Sequence, residues 1–345
     1  MSASIVEVAR LAGVSTATVS RALRGLPNVA ALTKGRVLDA AQELGYVATP
    51  SARVLATGRT RTVAVVAPYL TRWYVGQVVD AAGDILAGNG YHVLLYNLSG
   101  QQGRRRFFEG LPLRKRVDAC LLMGLALTDD ETARLRSLGI PVALVGVAHE
   151  QLPHVRIDDV AGAARAVQHL VDLGHERIGL IGGDARPMAL AAPADRRAGY
   201  RQALEGAGLG LDPALEAPGH FSFVGGGHAM SELLASRRPP TAVFAESDEM
   251  ALGAVRTARR TGLRVPEDVS IVGFDDHEMA ELMDLTTVSQ PARDQGVLAA
   301  MQLLGAVERG DPFPAGTILP TRLVVRGSSA RPPGRRSGRL AARTG

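Results

Sequence analysis

Residues 4–24 read SIVEVARLAGVSTATVSRALR. Ser4-Ile5-Val6-Glu7 has the form of a capping box: the Ser4 hydroxyl takes the Glu7 backbone N–H, and the Glu7 carboxylate reaches back to the Ser4 N–H. Val8, Ala9, Leu11 and Ala12 then supply the apolar side of a short helix. Gly13 allows a turn at low steric cost. Ser15 is placed to cap a second helix, in which Val19 and Leu23 lie i, i+4 on one face. Two short helices joined by a Gly-containing turn form the helix-turn-helix pattern. In that unit the second helix enters the DNA major groove with its N-terminal residues over the base edges. The spacing alone also fits an ordinary pair of core helices.

Moving outward, Leu32 to Leu44 predicts a third helix, with Val37, Ala41 and Leu44 on one side and Gly45 as its stop. Three helices in so short a stretch bury little surface and make a small, marginally stable unit. Residues 48–61, ATPSARVLATGRTR, read as a linker by composition.

Charge is partitioned along the chain. The net charge is +5 over 345 residues, but residues 1–61 carry eight Lys/Arg against three acids, and residues 328–345 carry five Arg and no acid. The body between them is acidic. A basic head on an acidic body is the footprint of a nucleic-acid reader. The arginine-rich tail from Ser328, with Pro332-Pro333, is expected to be disordered. No apolar run reaches 18 residues and no charged-then-apolar leader opens the chain, so a cytoplasmic protein is expected. The single cysteine, Cys120, sits in the apolar run 119–123 and reads as a buried structural thiol.

From Thr62 onward strands and helices alternate: strands at 63–67, 92–96, 119–123 and 142–145, with helices at 73–87, 104–113 and 129–138. A second series follows Asp158-Asp159, with helices at 160–173, 194–207, 225–235 and 248–261 and strands at 177–181, 242–245 and 269–274. Such alternation gives parallel sheets covered by helices, and two series in succession predict two similarly built lobes. The RRR run at 104–106 and the RKR run at 114–116 read as solvated surface. In open parallel sheets ligands sit beyond the carboxyl ends of the strands.

Val8-Ala9, Ala12-Gly13-Val14-Ser15 and Thr18-Val19-Ser20-Arg21 together resemble the opening of LacI/GalR-type bacterial transcriptional regulators, and further matches run to about residue 327. The resemblance implies a small all-α helix-turn-helix head (1–47), a hinge helix or linker (48–61), and an α/β two-lobed, periplasmic-binding-protein-like core with parallel sheets (62–327). The first lobe takes about 62–158 and 291–319, and the second about 161–287 and 322–327. Three crossovers near 157–161, 287–292 and 319–323 join them, and residues 328–345 form the tail. Ala30 stands where the family usually places a capping serine, which marks a weak start to the third helix.

The resemblance also implies partners: double-stranded operator DNA, a second copy of the chain, and a small effector, with a carbohydrate favoured. It assigns DNA contacts to Ser4, Ser15, Thr16, Ala17, Thr18, Ser20, Arg21 and Asn28. Thr16 and Ala17 match base-reading positions, and Leu55, in the hinge stretch 51–57, matches a minor-groove wedge. A hinge of about seven residues is too short to be a stable helix alone, so it is expected to fold only on DNA. Effector contacts are implied at Trp73, Tyr74, Asp158, Arg196, Phe221, Ser247 and Asp275. The fork of Arg196 suits vicinal hydroxyls or a carboxylate, Asp275 accepts from hydroxyls, and the aromatics offer faces to a ring. Asp248 and Asp276 read equally as loop-holding or capping residues, and Trp73 equally as an aromatic between lobes.

No cofactor, metal site or catalytic constellation is expected. Gly182-Gly183 and Gly225-Gly226-Gly227 lack the order of a phosphate-cradling loop, and the histidines are scattered. The readings left beside a DNA-binding regulator, most simply a repressor on the nucleoid, are a non-regulatory small-molecule binding protein and a sugar or nucleoside hydrolase on the same scaffold. A dimer is expected to pair through the helices at 73–87 and at 225–235 or 248–261. The absence of heptads after residue 327 argues against a C-terminal coiled coil.

Overall fold

The computed structural model describes residues 3–23, 26–46, 59–98, 100–183 and 192–332. The hinge stretch 51–57 with Leu55, and the chain after Pro332, lie outside the described residues. The chain divides into two compact units, residues 1–60 and 61–345.

In the first unit α1 (Ile5–Ala12), α2 (Thr16–Leu23) and α3 (Ala31–Glu43) follow the predicted pattern. The capping box closes at both ends: the Ser4 N–H donates to Glu7 Oε2 at 2.7 Å, and the Glu7 N–H donates to Ser4 Oγ at 3.3 Å. Gly13 ends α1 at φ 66°, in the left-handed region that glycine enters without a Cβ penalty. Val8, Val19 and Val37, one from each helix, are fully buried at the centre of a small apolar cluster. Ala30 precedes α3 with no side-chain cap bond.

The second unit holds two six-stranded sheets. The first lobe's sheet uses β1 (Thr62–Ala67), β2 (His92–Asn97), β3 (Ala119–Met123), β4 (Val142–Val145), β5 (His154–Ile157) and β11 (Gly316–Leu319), in the order β11-β5-β4-β3-β1-β2. Its helices are α4 (Trp73–Gly88), α5 (Gln101–Gly110), α6 (Asp129–Arg136) and the returning α12 (Ala292–Arg309).

The second lobe's sheet uses β6 (Ile178–Gly182), β7 (Glu216–Pro218), β8 (Ala242–Ala245), β9 (Ser270–Asp275), β10 (Thr286–Ser289) and β12 (Arg322–Val324), in the order β12-β10-β9-β8-β6-β7. It carries α7 (Asp159–Asp172), α8 (Ala192–Gly206), α9 (Phe223–Ala235), α10 (Asp248–Arg260) and the short α11 (Glu278–Leu282). Every strand pair is parallel except β10 with β12. The chain passes between lobes after β5, after β10 and between β11 and β12, where strands of both sheets end on one border.

Central strands are apolar on both faces: Val63 to Ala67 and Ala119 to Met123 are all buried, as helix-covered parallel strands must be. Cys120 lies fully buried among them, and burial pushes its thiol pKa well up. The glycine runs serve packing. A Cβ on Gly226 would collide with the Met250 backbone, and one on Gly253 with the Phe223 carbonyl, so both let α9 and α10 approach closely.

Two expectations are corrected. Arg104 is not solvated: it is buried, with Nη2 2.6 Å from Glu131 Oε2 and 2.7 Å from the Ala126 carbonyl, whereas Arg105, Arg106 and residues 114–116 are exposed. A buried guanidinium needs such partners for its charge. The chain also stays ordered past Ser328. The Ser328 hydroxyl accepts the Thr286 N–H at 2.8 Å and donates to the Ile271 carbonyl at 2.6 Å, while the Ala330 N–H donates to Ser270 Oγ at 3.0 Å. These bonds tie the chain to the starts of β9 and β10, and composition alone does not reveal them.

Candidate functional site

The exposed side of α2 carries Thr16, Ala17 and Arg21, and Ser4 and Asn28 are exposed as well. The Ser15 hydroxyl accepts the Thr18 N–H at 3.2 Å and lies 2.9 Å from Thr18 Oγ1, so these two groups cap α2 as a pair. Ser20 is half-buried. Asn28 holds φ 80° in the turn before α3, a conformation that asparagine tolerates better than most residues. The motif thus presents outward a polar helix start, with Arg21 in the last turn of α2, on an apolar base.

Within the core unit a cavity of about 290 Å³ lies between the lobes, beyond the carboxyl ends of both sheets. The first lobe contributes Tyr69, Arg72, Tyr74 and Met123; the second contributes Asp159, Arg196, Phe221, Ser247, Glu249 and Asp275; Gln290 comes from a crossover.

Arg196 on α8 is the centre of charge. It is 5% exposed; its Nε donates to Asp159 Oδ1 at 2.8 Å, its Nη1 donates to the Glu246 carbonyl and lies 3.6 Å from Asp275 Oδ1, and its guanidinium sits 3.7 Å from the Phe274 ring centre. Asp275 ends β9 at φ 125°, followed by Asp276 at φ 59°. Both are rare conformations for residues with side chains, and both are held from outside. Gln290 Nε2 donates to Asp275 Oδ1 at 2.6 Å, and Arg326 Nη2 donates to Asp276 Oδ1 at 2.8 Å.

Asp248 holds the same corner from below, accepting from Thr287 Oγ1 at 2.6 Å and from the His277 N–H at 2.8 Å. Asp248 and Asp276 therefore build the loop rather than face the cavity. Burial pushes Asp275 up to about 8, against the pull of Arg196, and pushes Glu246 up to about 8, against a 2.6 Å hydrogen bond from the Gly183 N–H. Burial also raises the Tyr74 phenol, which stays protonated and donates to Gln295 Oε1 at 2.7 Å.

Of the residues expected from the sequence to face an effector, Tyr74, Arg196, Phe221, Ser247 and Asp275 line this cavity. Phe221, at φ 48°, lies over Gly183, where any Cβ would strike its ring. Ser247 also caps α10, accepting the Met250 N–H at 3.3 Å.

Two expected residues do not line it. Asp158 is exposed and caps α7 through the Ala161 N–H at 2.9 Å; its neighbour Asp159, one step into the helix, turns toward Arg196 instead. Trp73 bridges the lobes: its indole N–H donates to Glu278, and its ring lies 5.2 Å from that of His277. Sequence reasoning missed Tyr69, Asp159, Glu249 and Gln290. The Asp158-Asp159 pair held a legible signal, because a capping Asp directs the next side chain elsewhere. Gln290 carried none, since its role depends on Asp275 at the end of the neighbouring strand β9.

A two-lobed cleft of this kind, with a guanidinium, carboxylates and aromatic faces at the strand ends, is a small-molecule sensor, and in this chain it follows a helix-turn-helix. Bacterial regulatory proteins of the lacI family are matched over residues 4–49, and the periplasmic binding protein-like domain over residues 167–329. The HTH-type transcriptional repressor CytR of Escherichia coli (strain K12) is 38% identical over 331 residues, covering 95% of this chain and 96% of the relative.

Among solved structures, the lac repressor dimer bound to operator and the anti-inducer ONPF aligns with a TM-score of 0.84 at 28% identity, over 96% of this chain and 100% of that one. The transcriptional regulator CelR–cellobiose complex aligns with a TM-score of 0.71 at 35% identity, over 95% and 100%. The chain belongs to the lacI family. It is a DNA-binding transcriptional regulator and not an enzyme. Among the described residues no helix is long and apolar enough to cross a membrane.

Proposed function

We propose that this regulator represses transcription from the nucleoid by binding a palindromic operator as a homodimer, and that a small carbohydrate in the cleft tunes that binding. The observation that carries the reading is the cavity between lobes: carboxylates and a guanidinium suit the vicinal hydroxyls of a sugar, and Phe221 and Tyr69 offer apolar faces to its ring. The cellobiose bound by CelR favours the same ligand class.

One three-helix head is a small footprint, and a two-fold pair of heads matches the symmetry of a palindrome. In this reading Thr16, Ala17 and Arg21 meet base edges, while Ser15, Thr18 and Ser20 position α2 on phosphates. Ser4 and Asn28 add DNA contacts, and Leu55 wedges into the minor groove. An effector acts only through its differential affinity for the two lobe arrangements, typically ~1–3 kcal/mol of coupling.

Genome-wide footprinting of the bound protein tests this, followed by operator affinity measured with and without a carbohydrate panel. Palindromic footprints and a sugar-dependent change in operator affinity are expected. Operator affinity unmoved by any sugar would remove the carbohydrate, and parent-like binding by Leu55→Ala would remove the wedge.

A further inference from the structure

Behind the cavity wall four side chains form a chain of hydrogen bonds that runs in one direction. The Tyr74 hydroxyl, on α4, donates to Gln295 Oε1 at 2.7 Å. Gln295 Nε2, on α12, donates to Gln290 Oε1 at 3.2 Å. Gln290 Nε2, in the crossover after β10, donates to Asp275 Oδ1 at 2.6 Å. Gln295 is fully buried, so its amide has no water to turn to, and Gln290, 5% exposed, opens only onto the cavity. The two ends, Tyr74 and Asp275, line the cavity from opposite lobes, and Gln295 itself does not line it.

We propose that Gln295 is a positioning residue of the effector cleft: it carries the relay from Tyr74 to Asp275 and so fixes how both ends face a ligand.

An amide is polar in a definite sense, with one acceptor and one donor end. The Tyr74 hydroxyl, kept protonated by burial, gives its proton to Gln295 Oε1. The NH₂ of Gln295 then faces Gln290, whose oxygen turns to meet it, and the Gln290 NH₂ is left for Asp275. A flip of either amide alone would bring two donors or two acceptors together at the link between Gln295 and Gln290, at the cost of an unsatisfied buried group. The Tyr74 hydroxyl proton is thereby committed, leaving its oxygen lone pairs for the cavity. Asp275 has one oxygen held by Gln290, which fixes the rotation of the carboxylate at a strained φ. A ligand that spans the two walls therefore meets the lone pairs of Tyr74 on one and a rotationally fixed Asp275 carboxyl on the other.

The relay also ties the two lobes together. Gln290 lies on a crossover and Gln295 on the helix packed against α4, where the Gly296 backbone approaches Val78 closely enough to exclude a Cβ. Movement of Asp275 against a ligand is thus passed to α4 by three hydrogen bonds in series.

The inference rests on the cleft being the effector site, but its test needs no ligand. Asp275 is faced by Arg196, Asp248 and Glu249 as well as by Gln290, and the Gln290 hydrogen bond favours its charged form. In the full chain labelled with ¹³Cγ-aspartate, the Asp275 resonance, identified by its loss in Asp275→Asn, is titrated in the parent and in Gln290→Met, Gln295→Met and Tyr74→Phe. None of these substitutions adds or removes a charge near neutral pH.

The Asp275 midpoint is expected to move to higher pH in the order Gln290→Met, Gln295→Met, Tyr74→Phe, largest first, because each frees the last donor to a smaller degree. A midpoint at the parent value in Gln295→Met and Tyr74→Phe overturns the relay, leaving Gln295 as packing only. An unmoved midpoint in Gln290→Met overturns its final link. If Gln295→Met does not fold, Tyr74→Phe alone decides, since it removes one hydroxyl and keeps the ring. A flat titration beside an intact sugar response would sink the relay without touching the proposed function.

Discussion

The head and the cleft hold their functional groups in opposite ways. On α2, Thr16, Ala17 and Arg21 stand in solvent on a base of buried Val19 and Ala22, so side chain and scaffold are nearly independent. In the cleft, Arg196, Asp159 and Asp275 are each less than a tenth exposed and hold one another. An exposed reader can change without disturbing its support. A buried charge cannot, because the interior leaves its partner uncompensated.

The largest consequence falls on Arg196. Arg196→Ala leaves Asp159 and Asp275 facing an apolar gap, and breaking a buried pair in this way costs about 3–5 kcal/mol. Urea denaturation should show the unfolding free energy of the core lowered by that amount, with a lower midpoint, so lost effector response in this variant would report folding as well as recognition. A midpoint within error of the parent would mean that the cleft charges are as independent as the head's.

Next comes pH. Glu246 is fully buried, one oxygen accepting from the Gly183 N–H and the other without a hydrogen-bond partner among the described residues, and its pKa lies at about 8 rather than 4.5. Between those values the folded chain keeps a proton that the unfolded chain has lost, so the Glu246 contribution is largest near pH 4.5 and falls as pH rises through about 8. Glu246→Gln removes this titration. The stability difference, parent minus variant, should therefore decline steadily between pH 5 and pH 8, and a constant difference would place the ionised carboxylate in the native state throughout.

The head gives a smaller effect of a different kind. Arg21→Ala should weaken operator binding by roughly 1–3 kcal/mol and relax preference at one base pair per half-site, while leaving thermal stability alone. Gel-shift titrations over operator variants check it, and uniform weakening on all sequences would make Arg21 a phosphate contact.

The smallest change sharpens the comparison from the other side. Ala30 opens α3 with no side-chain cap, so Ala30→Ser should stabilise the head by about 1 kcal/mol. Amide exchange in the first turn of α3 should slow, with exchange in the core unit unchanged.

Much of this was open to reading from residues alone where interactions are local. The Ser4–Glu7 box, the Gly13 turn and the Ser15 cap are written within four residues of their partners and appear as expected. Alternation of apolar runs and helices was enough to announce two parallel-sheet lobes, because a strand buried on both faces must be apolar throughout. The short strands β5, β7, β10, β11 and β12 went unread: at three or four residues each, with polar residues interleaved, they carry too little pattern to separate from loops. Helix boundaries slipped for the same reason, as at α5, which spans 101–110 rather than 104–113.

Sequence by itself determined the helix-turn-helix, the two-lobed class, and Tyr74, Arg196, Phe221, Ser247 and Asp275 as cleft residues, since strand ends and family motifs are properties of short segments. Tertiary structure alone decided that Asp159 rather than Asp158 meets Arg196, that Trp73 bridges the lobes, that Gln290 holds Asp275, and that Gln295 meets Gln290. The physical reason is distance along the chain. Gln295 reaches Tyr74 across 221 residues, Arg196 reaches Asp159 across 37, and Trp73 reaches Glu278 across 205. Such pairs satisfy buried polar groups only once two sheets and three crossovers have brought them together.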